Sequence, residues 1–319
     1  MNPTILNTLD LSGAPEAVSA LEAAGRLITV PPDRDAVLSA LAQTDAYLAN
    51  ARLIIDEEFL DAAPQLRVIG SPSTGTDHMD LAAIDRRGIT RFDIALEREL
   101  LDGFTATSEM VFALLLAVNR RLKPAFAAAD RGDWARERFT GFQLAGKTLG
   151  VLGLGRLGTI SARIGLGFGM KVISHDVRAV SVPGVDMVDF DSLLARSDVL
   201  TVHIHLKSET DGLIGAAAFA RMKRNAILIN TSRGRIVHEE DLLEALTTKR
   251  IAGAGLDVID GEWLTDQERA GHPLVRFARA NDNLVISPHI GGATIESIYG
   301  ARVFMARKIA DWLKKQPRR

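Results

Sequence analysis

The sequence has no cysteine among its 319 residues. The missing thiol excludes disulfide bonds, thiolate metal sites and a cysteine nucleophile, so any covalent catalysis must use another group. An excess of positive charge is also missing, because 38 Lys and Arg are set against 40 Asp and Glu, for a formal net charge of -2. We therefore expect no nucleic-acid partner.

Long hydrophobic runs are missing as well. The longest one, Val111 to Val118, is far shorter than the roughly 20 apolar residues of a membrane-spanning helix. Residues 1–7 carry no basic segment followed by an apolar one, which a secretory signal sequence would show. We expect a soluble, cytoplasmic protein with no membrane partner.

The composition that remains is that of a globular protein, with 47% hydrophobic and 24% charged residues. A chain of this length suits two domains, each large enough to bury its own core. In the first hundred residues, short β-like runs alternate with helical patterns, which predicts a parallel sheet flanked by helices. A long helix is predicted at Ala106–Arg131, a glycine-rich loop at 132–146, and stronger alternation from Thr148 to Ser287.

The predicted fold class is α/β, with two Rossmann-like domains. One more helix, about Ala293 to Trp312, follows the last strand and is too short to be a domain, so we expect it to pack on the N-terminal region. Residues 1–99 and 288–319 would then form a flavodoxin-like substrate-binding domain. Residues 100–287 would form a doubly wound dinucleotide-binding domain inserted into it.

A glycine fingerprint, Gly153-Leu-Gly155-Arg-Leu-Gly158, follows the predicted strand Thr148–Leu152 and opens the helical segment Arg156–Leu166. This string is weak evidence alone, but a strand before it and a helix after it make it specific. A dinucleotide needs a tight turn at Gly153, close backbone approach at Gly155 and close helix–strand packing at Gly158. The helix N-terminus then faces the pyrophosphate.

Asp176 ends the next predicted strand, 18 residues beyond Gly158. A carboxylate at this distance can accept hydrogen bonds from the adenosine ribose and repels a 2′-phosphate, which favours NAD over NADP. Arg178 keeps NADP open, since an arginine can pair with a 2′-phosphate.

Three polar residues follow the carboxyl ends of later predicted strands, where open α/β sheets bind their ligands. Arg233 offers a bidentate cation for a carboxylate, and His289 titrates near neutral pH. Glu262 beside the histidine would favour the imidazolium. Together these residue types suit hydride transfer to a 2-keto acid, which needs an anion site, a proton donor and a partner for that donor.

Several strings resemble the D-isomer-specific 2-hydroxyacid dehydrogenases, in order and over nearly the whole chain. They are Thr74-Gly75-Thr-Asp77-His-Met-Asp80, Gly146-Lys-Thr-Leu-Gly-Val-Leu-Gly-Leu-Gly155, Ile229-Asn-Thr-Ser-Arg233-Gly-Arg-Ile-Val237, Gly255-Leu-Asp-Val258 with Glu262, and Ser287-Pro-His289-Ile-Gly-Gly292. Members of this family reduce small 2-keto acids or oxidise D-2-hydroxy acids with NAD.

The resemblance implies a role for each matching residue. Arg233 would bind the substrate carboxylate and carbonyl, His289 would be the general acid-base, and Glu262 would pair with it. Backbone amides near Thr74 and Gly75 would also bind the carboxylate. The implied cofactor-binding residues are Gly153, Gly155, Arg156, Leu157, Gly158, Asp176, His203, Thr231, Ser232, Arg233, Asp257, His289 and Gly291, with Asp257 against the nicotinamide carboxamide. A homodimer is implied, with the long helix and the loop at 132–146 as its interface.

Three positions depart from the family pattern. Trp263 and His205 stand where proline is frequent, and Asn50 stands where phosphoglycerate-specific members often have arginine. Without that cation a phosphorylated substrate is harder to hold, so phosphoglycerate is not the expected substrate.

Other functions stay open. A relative acting on another small anion, such as phosphite, would use the same cation, base and nicotinamide, whereas Glu262 argues against formate-specific relatives, which have glutamine there. An NAD-sensing, corepressor-like binding protein is a second alternative. His203 and His205 would alternate on a strand and share a face, but with no third ligand nearby we expect no metal.

Overall fold

The computed structural model describes residues 2–262 and 264–316, so Trp263 lies outside the described residues. The chain divides into two compact units, Met1–Phe104 with Ala293–Arg319, and Thr105–Gly292. The boundaries expected from the sequence lie five residues earlier at both junctions. Two packing interactions account for the difference: Leu101 belongs to the core of the first unit, and Asp257 holds the main chain of the 289–291 segment in the second.

The first unit is a five-stranded sheet with helices. Its elements are β1 (Thr4–Asn7), α1 (Pro15–Glu22), β2 (Arg26–Thr29), α2 (Arg34–Ala40), β3 (Ala46–Leu48), α3 (Glu57–Asp61), β4 (Val68–Gly70), α4 (Leu81–Arg86), β5 (Thr90–Phe92), α5 (Arg98–Asp102) and, from the chain's end, α14 (Ile295–Lys315). The strand order is β2-β1-β3-β4-β5 with parallel pairing throughout. This is the flavodoxin-like order expected from the sequence.

Helix α14 is built into the first unit. It contacts α1, β3 and β4, and its buried face includes Met305 and Ile309. A Cβ at Gly70 would lie 2.6 Å from Ile309 and 2.8 Å from Met305, so β4 ends on a residue without a side chain. The last helix therefore completes the core of the N-terminal fold.

The second unit is a seven-stranded parallel sheet with helices. Its elements are α6 (Ala106–Asn119), α7 (Leu122–Asp130), β6 (Thr148–Leu152), α8 (Arg156–Gly167), β7 (Lys171–His175), β8 (Val185–Met187), α9 (Phe190–Arg196), β9 (Val199–Val202), α10 (Ala216–Arg221), β10 (Ile227–Asn230), α11 (Glu239–Thr247), β11 (Gly253–Leu256), α12 (Asp266–Gly271), α13 (Pro273–Ala280) and β12 (Leu284–Ile286). The strand order is β12-β11-β10-β9-β6-β7-β8. The chain therefore runs outward from β6 to β8, returns to β9 on the other side of β6, and has its topological switch point between β6 and β9.

The single long helix predicted at Ala106–Arg131 is wrong, because the structure divides it into α6 and α7. Arg121 stands between them with φ of 49°, a left-handed backbone conformation that interrupts a right-handed helix. The Arg121 guanidinium donates from Nη1 to the main-chain oxygen of Arg138 at 2.9 Å. That bond joins the break to the segment that follows α7.

Residues 98–119 are long and apolar enough, by length and composition alone, to cross a membrane. The structure divides this stretch into α5 and α6. The apolar side chains of α6, among them Val111, Leu114 and Leu115, are buried in the core of the second unit. The apolar composition of α6 is thus explained by its place against the sheet.

Candidate active site and cofactor site

Six strands of the second sheet end in register. The pairing joins His175 to Leu152, Leu152 to Val202, Val202 to Asn230, Asn230 to Leu256 and Leu256 to Ile286. The residues that come next along each strand are Asp176, Gly153, His203, Thr231, Asp257 and Ser287. Most residues predicted from the sequence as cofactor or catalytic groups lie in this row or within a few residues of it. The parallel sheet therefore brings them to one edge.

The glycine loop after β6 has two positions where a side chain cannot be accommodated. Gly153 has φ of +91°, and a Cβ there would lie 2.7 Å from the main-chain oxygen of His203. A Cβ at Gly158 would lie 2.0 Å from the main-chain oxygen of Gly153. At Gly155, the residue that caps α8, the nearest atom to a built Cβ is Nη2 of Arg178 at 3.8 Å. The loop is thus tight against the sheet and open at the helix N-terminus, which suits a bound pyrophosphate.

Arg156 and Leu157 form the first turn of α8. The main-chain oxygen of Leu157 accepts a hydrogen bond from Oγ of Ser108 at 2.9 Å. Ser108 is buried on α6, so this bond fixes the start of the helix against its neighbour.

Asp176 is fixed by three groups. Its carboxylate accepts hydrogen bonds from the main-chain N–H of Leu154 at 2.8 Å and from the main-chain N–H of Arg178 at 2.9 Å. The Arg178 guanidinium adds a bidentate pair, with Nε to Oδ1 at 3.0 Å and Nη2 to Oδ2 at 2.9 Å. The hydrogen bonds from Arg178 lower the pKa of Asp176 to about 2, so this carboxylate is ionised at neutral pH.

His203 marks the switch point between β6 and β9. Its Nε2 lies 3.0 Å from Oγ1 of Thr201, and burial lowers the pKa of the imidazole to about 4. Strand β9 ends at Val202, so the prediction that His203 and His205 alternate on one strand face is wrong. Among the described residues, no three His, Asp or Glu side chains are placed to hold a metal ion.

The turn after β10 is organised by Asn230, a buried residue that the sequence reading did not assign a role. Its Oδ1 accepts from the main-chain N–H of Ser232 at 3.0 Å, and its Nδ2 donates to the main-chain oxygen of Arg233 at 2.9 Å. Ser232 in turn donates from Oγ to the main-chain oxygen of Val202 at 2.6 Å. Oγ1 of Thr231 is buried with no hydrogen-bond partner within the part of the chain that the structure describes, which suits a polar ligand group.

Arg233 is the third residue after β10 and is partly buried. Its Nη1 donates to the main-chain oxygen of Ser232 at 2.8 Å. The next residue, Gly234, packs against the loop after β11, because a Cβ there would lie 2.1 Å from the carbonyl carbon of Ile259. The loop carrying Arg233 is therefore held against the loop that leads to Glu262.

His289 and Glu262 are brought together, although 27 residues separate them in the chain. Nδ1 of His289 lies 2.9 Å from Oε2 of Glu262. The imidazole is 37% exposed and the carboxylate 17% exposed, so the pair is accessible while the carboxylate is largely covered. This contact fixes one nitrogen of the imidazole ring against the carboxylate and so orients the ring.

The buried Asp257 builds the segment that carries His289. Its carboxylate accepts hydrogen bonds from the Ser287 hydroxyl, from the main-chain N–H of Ile290 at 3.0 Å and from that of Gly291 at 2.6 Å. A Cβ at Gly291 would lie 2.7 Å from Oδ2 of Asp257, which explains the glycine. His289 itself has φ of 54°, an uncommon conformation that these bonds hold in place.

A cavity of about 340 Å³ lies beside the pair within the second unit. Val275 and Ile286 are among its apolar wall residues, and Lys123, Arg269 and Arg279 bring positive charge to it. Both His289 and Glu262 line it. With Asp257 and Glu262, the cavity therefore carries charges of both signs beside the pair.

Thr74 and Gly75 belong to the first unit, in the loop between β4 and α4. Oγ of Ser73 donates to the main-chain oxygen of Gly75 at 2.8 Å, and the Ser71 and Ser73 hydroxyls lie 2.9 Å apart. Nearby, Asn50 donates from Nδ2 to the main-chain oxygen of Thr8 at 3.3 Å and accepts from the main-chain N–H of Arg52. Asn50 is therefore part of a local turn.

Sequence profiles of known families match both units. Residues 112–291, more than half of the chain, match the D-isomer specific 2-hydroxyacid dehydrogenase, NAD binding domain. Residues 6–95 match the catalytic domain of the same family. The chain belongs to the D-isomer specific 2-hydroxyacid dehydrogenases. The resemblance found in its motifs is confirmed.

Individual relatives agree with this membership. A glyoxylate reductase of Thermofilum pendens is 37% identical over 293 residues, covering 89% of this chain and 83% of the relative. A D-3-phosphoglycerate dehydrogenase of Archaeoglobus fulgidus is 35% identical, covering 89% of this chain and 52% of the relative. The crystal structure of D-lactate dehydrogenase from Aquifex aeolicus complexed with NAD and lactic acid has a TM-score of 0.82 and 27% identity, covering 98% of this chain and 95% of that one.

The protein is therefore an NAD-dependent oxidoreductase that transfers hydride between its cofactor and 2-keto or 2-hydroxy acids. The fit of NAD rests on the structure too. The two glycines that admit no Cβ and the open N-terminus of α8 form the cradle that a dinucleotide needs.

Proposed function

We propose that this dehydrogenase reduces small 2-keto acids, with His289 as general acid-base, Glu262 as its partner and Arg233 as the cation for the substrate carboxylate. The observation that carries the proposal is the 2.9 Å contact between Nδ1 of His289 and Oε2 of Glu262 at the carboxyl edge of the sheet. An imidazole held by a carboxylate in this way can give a proton to a developing alkoxide and take it back in the reverse direction.

The proposed role of each residue follows from the chemistry of its side chain. Glu262 fixes the imidazole ring through Nδ1, so that Nε2 of His289 is the nitrogen assigned to proton transfer. The planar guanidinium of Arg233 can bind a carboxylate through two parallel hydrogen bonds. In the first unit, the main-chain N–H groups of Thr74 and Gly75 are assigned to the same carboxylate by family resemblance.

When bound, the nicotinamide cofactor supplies or accepts the hydride. We assign its pyrophosphate to Gly153–Gly158, including the main chain at Arg156 and Leu157, and its ribose hydroxyls to Asp176. Its remaining contacts are assigned to His203, Thr231, Ser232, Arg233, Asp257, His289 and Gly291. An ionised Asp176 repels a 2′-phosphate, and the bidentate bond occupies the Arg178 guanidinium. Both features support NAD over NADP.

A homodimer in the cytoplasm, without nucleic-acid or membrane partners, belongs to the same proposal. Its interface would comprise α6, α7 and the loop at 132–146. Phe126 on α7 is 64% exposed and Trp134 in the following loop 79% exposed, which supports a covered surface. Large aromatic side chains of this kind are enriched in interfaces.

The test is a panel of 2-keto acids offered with NADH or NADPH. We expect NADH to be consumed with glyoxylate, hydroxypyruvate or another small keto acid, and NADPH to be used less efficiently in kcat/KM. A D-2-hydroxy acid should reduce NAD in the reverse direction, whereas its L-isomer should not. Tight NADH binding with no turnover on any keto acid would contradict the proposal and favour a cofactor-sensing protein. Turnover of phosphite alone would also contradict it and favour a dehydrogenase that acts on phosphite.

A further inference from the structure

A partly buried pair of ionisable groups lies behind the loop that presents Glu262. Oε2 of Glu239 is 3.2 Å from Nε2 of His272, with the carboxylate 19% exposed and the imidazole 9% exposed. Oε1 of Glu239 accepts a hydrogen bond from the main-chain N–H of Asp260 at 2.8 Å. Glu239 is the first residue of α11, and His272 joins α12 to α13, so the pair connects three parts of the unit.

The loop that presents Glu262 has few regular contacts of its own. Residues 257–262 follow β11 without helix or strand, and Gly261 has φ of +79°. The position of these residues therefore depends on groups outside the loop. Gly234 packs on the main chain of Ile259 and Asp260, Glu239 holds the N–H of Asp260, and Arg269 donates from Nη1 to the main-chain oxygen of Glu262 at 3.0 Å.

Burying Glu239 is unfavourable by itself, because burial raises the pKa of this carboxyl. The Glu239 carboxylate is kept in place by its contacts with the main-chain N–H of Asp260 and with Nε2 of His272. Its removal would leave the N–H of Asp260 without an acceptor and Nε2 of His272 without its partner. His272 already has Nδ1 buried with no hydrogen-bond partner within residues 2–262 and 264–316, so it depends on the Glu239 contact.

We infer that Glu239, with His272, is a positioning residue for the acid–base pair: it fixes the main chain at Asp260 so that Glu262 reaches Nδ1 of His289. The inference rests on the proposed roles of Glu262 and His289. Glu239 touches neither substrate nor cofactor in this account. Its effect passes through the loop, since a shift of about 1 Å in a catalytic group can cost up to a hundredfold in rate.

A double-mutant cycle tests this with glyoxylate or the best keto acid of the panel. Glu239→Ala should lower kcat about tenfold or more while the Kd of NADH stays within about twofold. In a Glu262→Gln background, the same Glu239→Ala change should cost less than about twofold, since the contact that it positions is already lost. The matched control is Glu240→Ala, which alters the exposed neighbouring residue in the same turn of α11 and should leave kcat unchanged.

Two further measurements distinguish a positioning role of Glu239 from a general loss of folded structure. Glu239→Ala should lower kcat for keto acid reduction while KM stays within about twofold, because Glu239 touches no bound molecule. Glu239→Gln should restore most of kcat, because its amide oxygen can accept from Asp260. If Glu239→Ala does not fold, Glu239→Asp, one methylene shorter, replaces it in the cycle.

The outcomes that overturn the inference are distinct from those that overturn the proposed function. Equal losses from Glu239→Ala with and without Glu262→Gln, or a Kd for NADH that rises by as much as kcat falls, would show a structural role only. Wild-type turnover in Glu239→Ala would also overturn it. If Glu262→Gln itself keeps wild-type turnover, the proposed roles of the pair fail, and this inference fails with them.

Discussion

At the scale of single residues, buried polar groups hold the exposed ones in this site. Asp257 and Asn230 are nearly fully buried. Asn230 forms hydrogen bonds to the main chain of the turn that follows its own strand, β10, and Asp257, which follows β11, forms them to the turn after the neighbouring strand β12. One turn carries Arg233 and the other carries His289. Because the polar groups of a buried side chain must find partners, these two residues determine the main-chain path of the turns.

The burial of the His203 imidazole predicts how the free energy of unfolding changes at acid pH. Burial lowers its pKa from 6.5 to about 4, so below pH 6.5 the unfolded chain binds a proton that the folded protein does not. The free energy of unfolding therefore falls by at most about 3 kcal/mol as the pH is lowered from about 6.5 toward 4. In urea unfolding at pH 7, 5 and 4, His203→Gln should lose less stability than the wild type.

The exposed His205 provides the matched control, since His205→Gln replaces a surface side chain and should change the free energy of unfolding by no more than about 0.5 kcal/mol. If His203→Gln and the wild type lose the same free energy of unfolding between pH 7 and pH 4, then His203 is not buried as a neutral imidazole.

The residues that could be predicted from the sequence are those with a chemical signature. Arg233, Glu262 and His289 could be singled out because each follows a recognisable strand and carries a reactive group. The hydrogen bonds of Asn230 and Glu239 could not be predicted, because they depend on which main-chain atoms these side chains meet, and those atoms are fixed only by the packing of separate loops.

At the scale of elements, the packing of α8 against β6 depends on one close approach, between Gly158 and Gly153. A Cβ at Gly158 would meet the main-chain oxygen of Gly153 at 2.0 Å, whereas a Cβ at Gly167, at the other end of α8, would meet nothing within 4 Å. Gly158→Ala should therefore push the helix from the strand, lower the free energy of unfolding by about 1–3 kcal/mol and weaken NADH binding.

Gly167→Ala is the control on the same helix. It should raise stability by up to about 1 kcal/mol, because alanine is the better helix former, with no change in NADH affinity. Thermal unfolding and fluorescence titration with NADH measure both effects. Equal behaviour of the two variants would contradict the close packing at Gly158.

Strand-forming segments of the second sheet were predictable because fully buried parallel strands appear as short apolar runs. β6 has the predicted ends, Thr148–Leu152. The division of the long helix at Arg121 was not predictable, because an arginine in the left-handed conformation carries no sequence signal. Short elements such as β5 and β8 have too few residues to show a period.

At the scale of the whole molecule, the proposed homodimer gives a direct expectation. Light scattering at micromolar concentration should give twice the 34.5 kDa mass of one chain. Replacing Phe126 and Trp134 together by glutamate should lower that mass toward the monomer, because buried charge without a partner opposes association. A wild-type monomer at this concentration would contradict the proposal.

The family and the two-unit α/β fold could both be predicted from the sequence, because ordered motifs extend over nearly the whole chain. The preferred keto acid could not, since the shape of a pocket decides between substrates of one class and motif spacing does not describe shape.

The most direct measurement of the central claim is single-turnover hydride transfer from NADH to a keto acid in His289→Asn. Because the variant cannot donate the proton, the rate should fall by about 10²- to 10⁴-fold while the Kd of NADH is unchanged. His238→Asn, which alters a half-exposed histidine paired with Asp241, serves as the control and should keep the wild-type rate. Hydride transfer at the wild-type rate in His289→Asn would contradict the account.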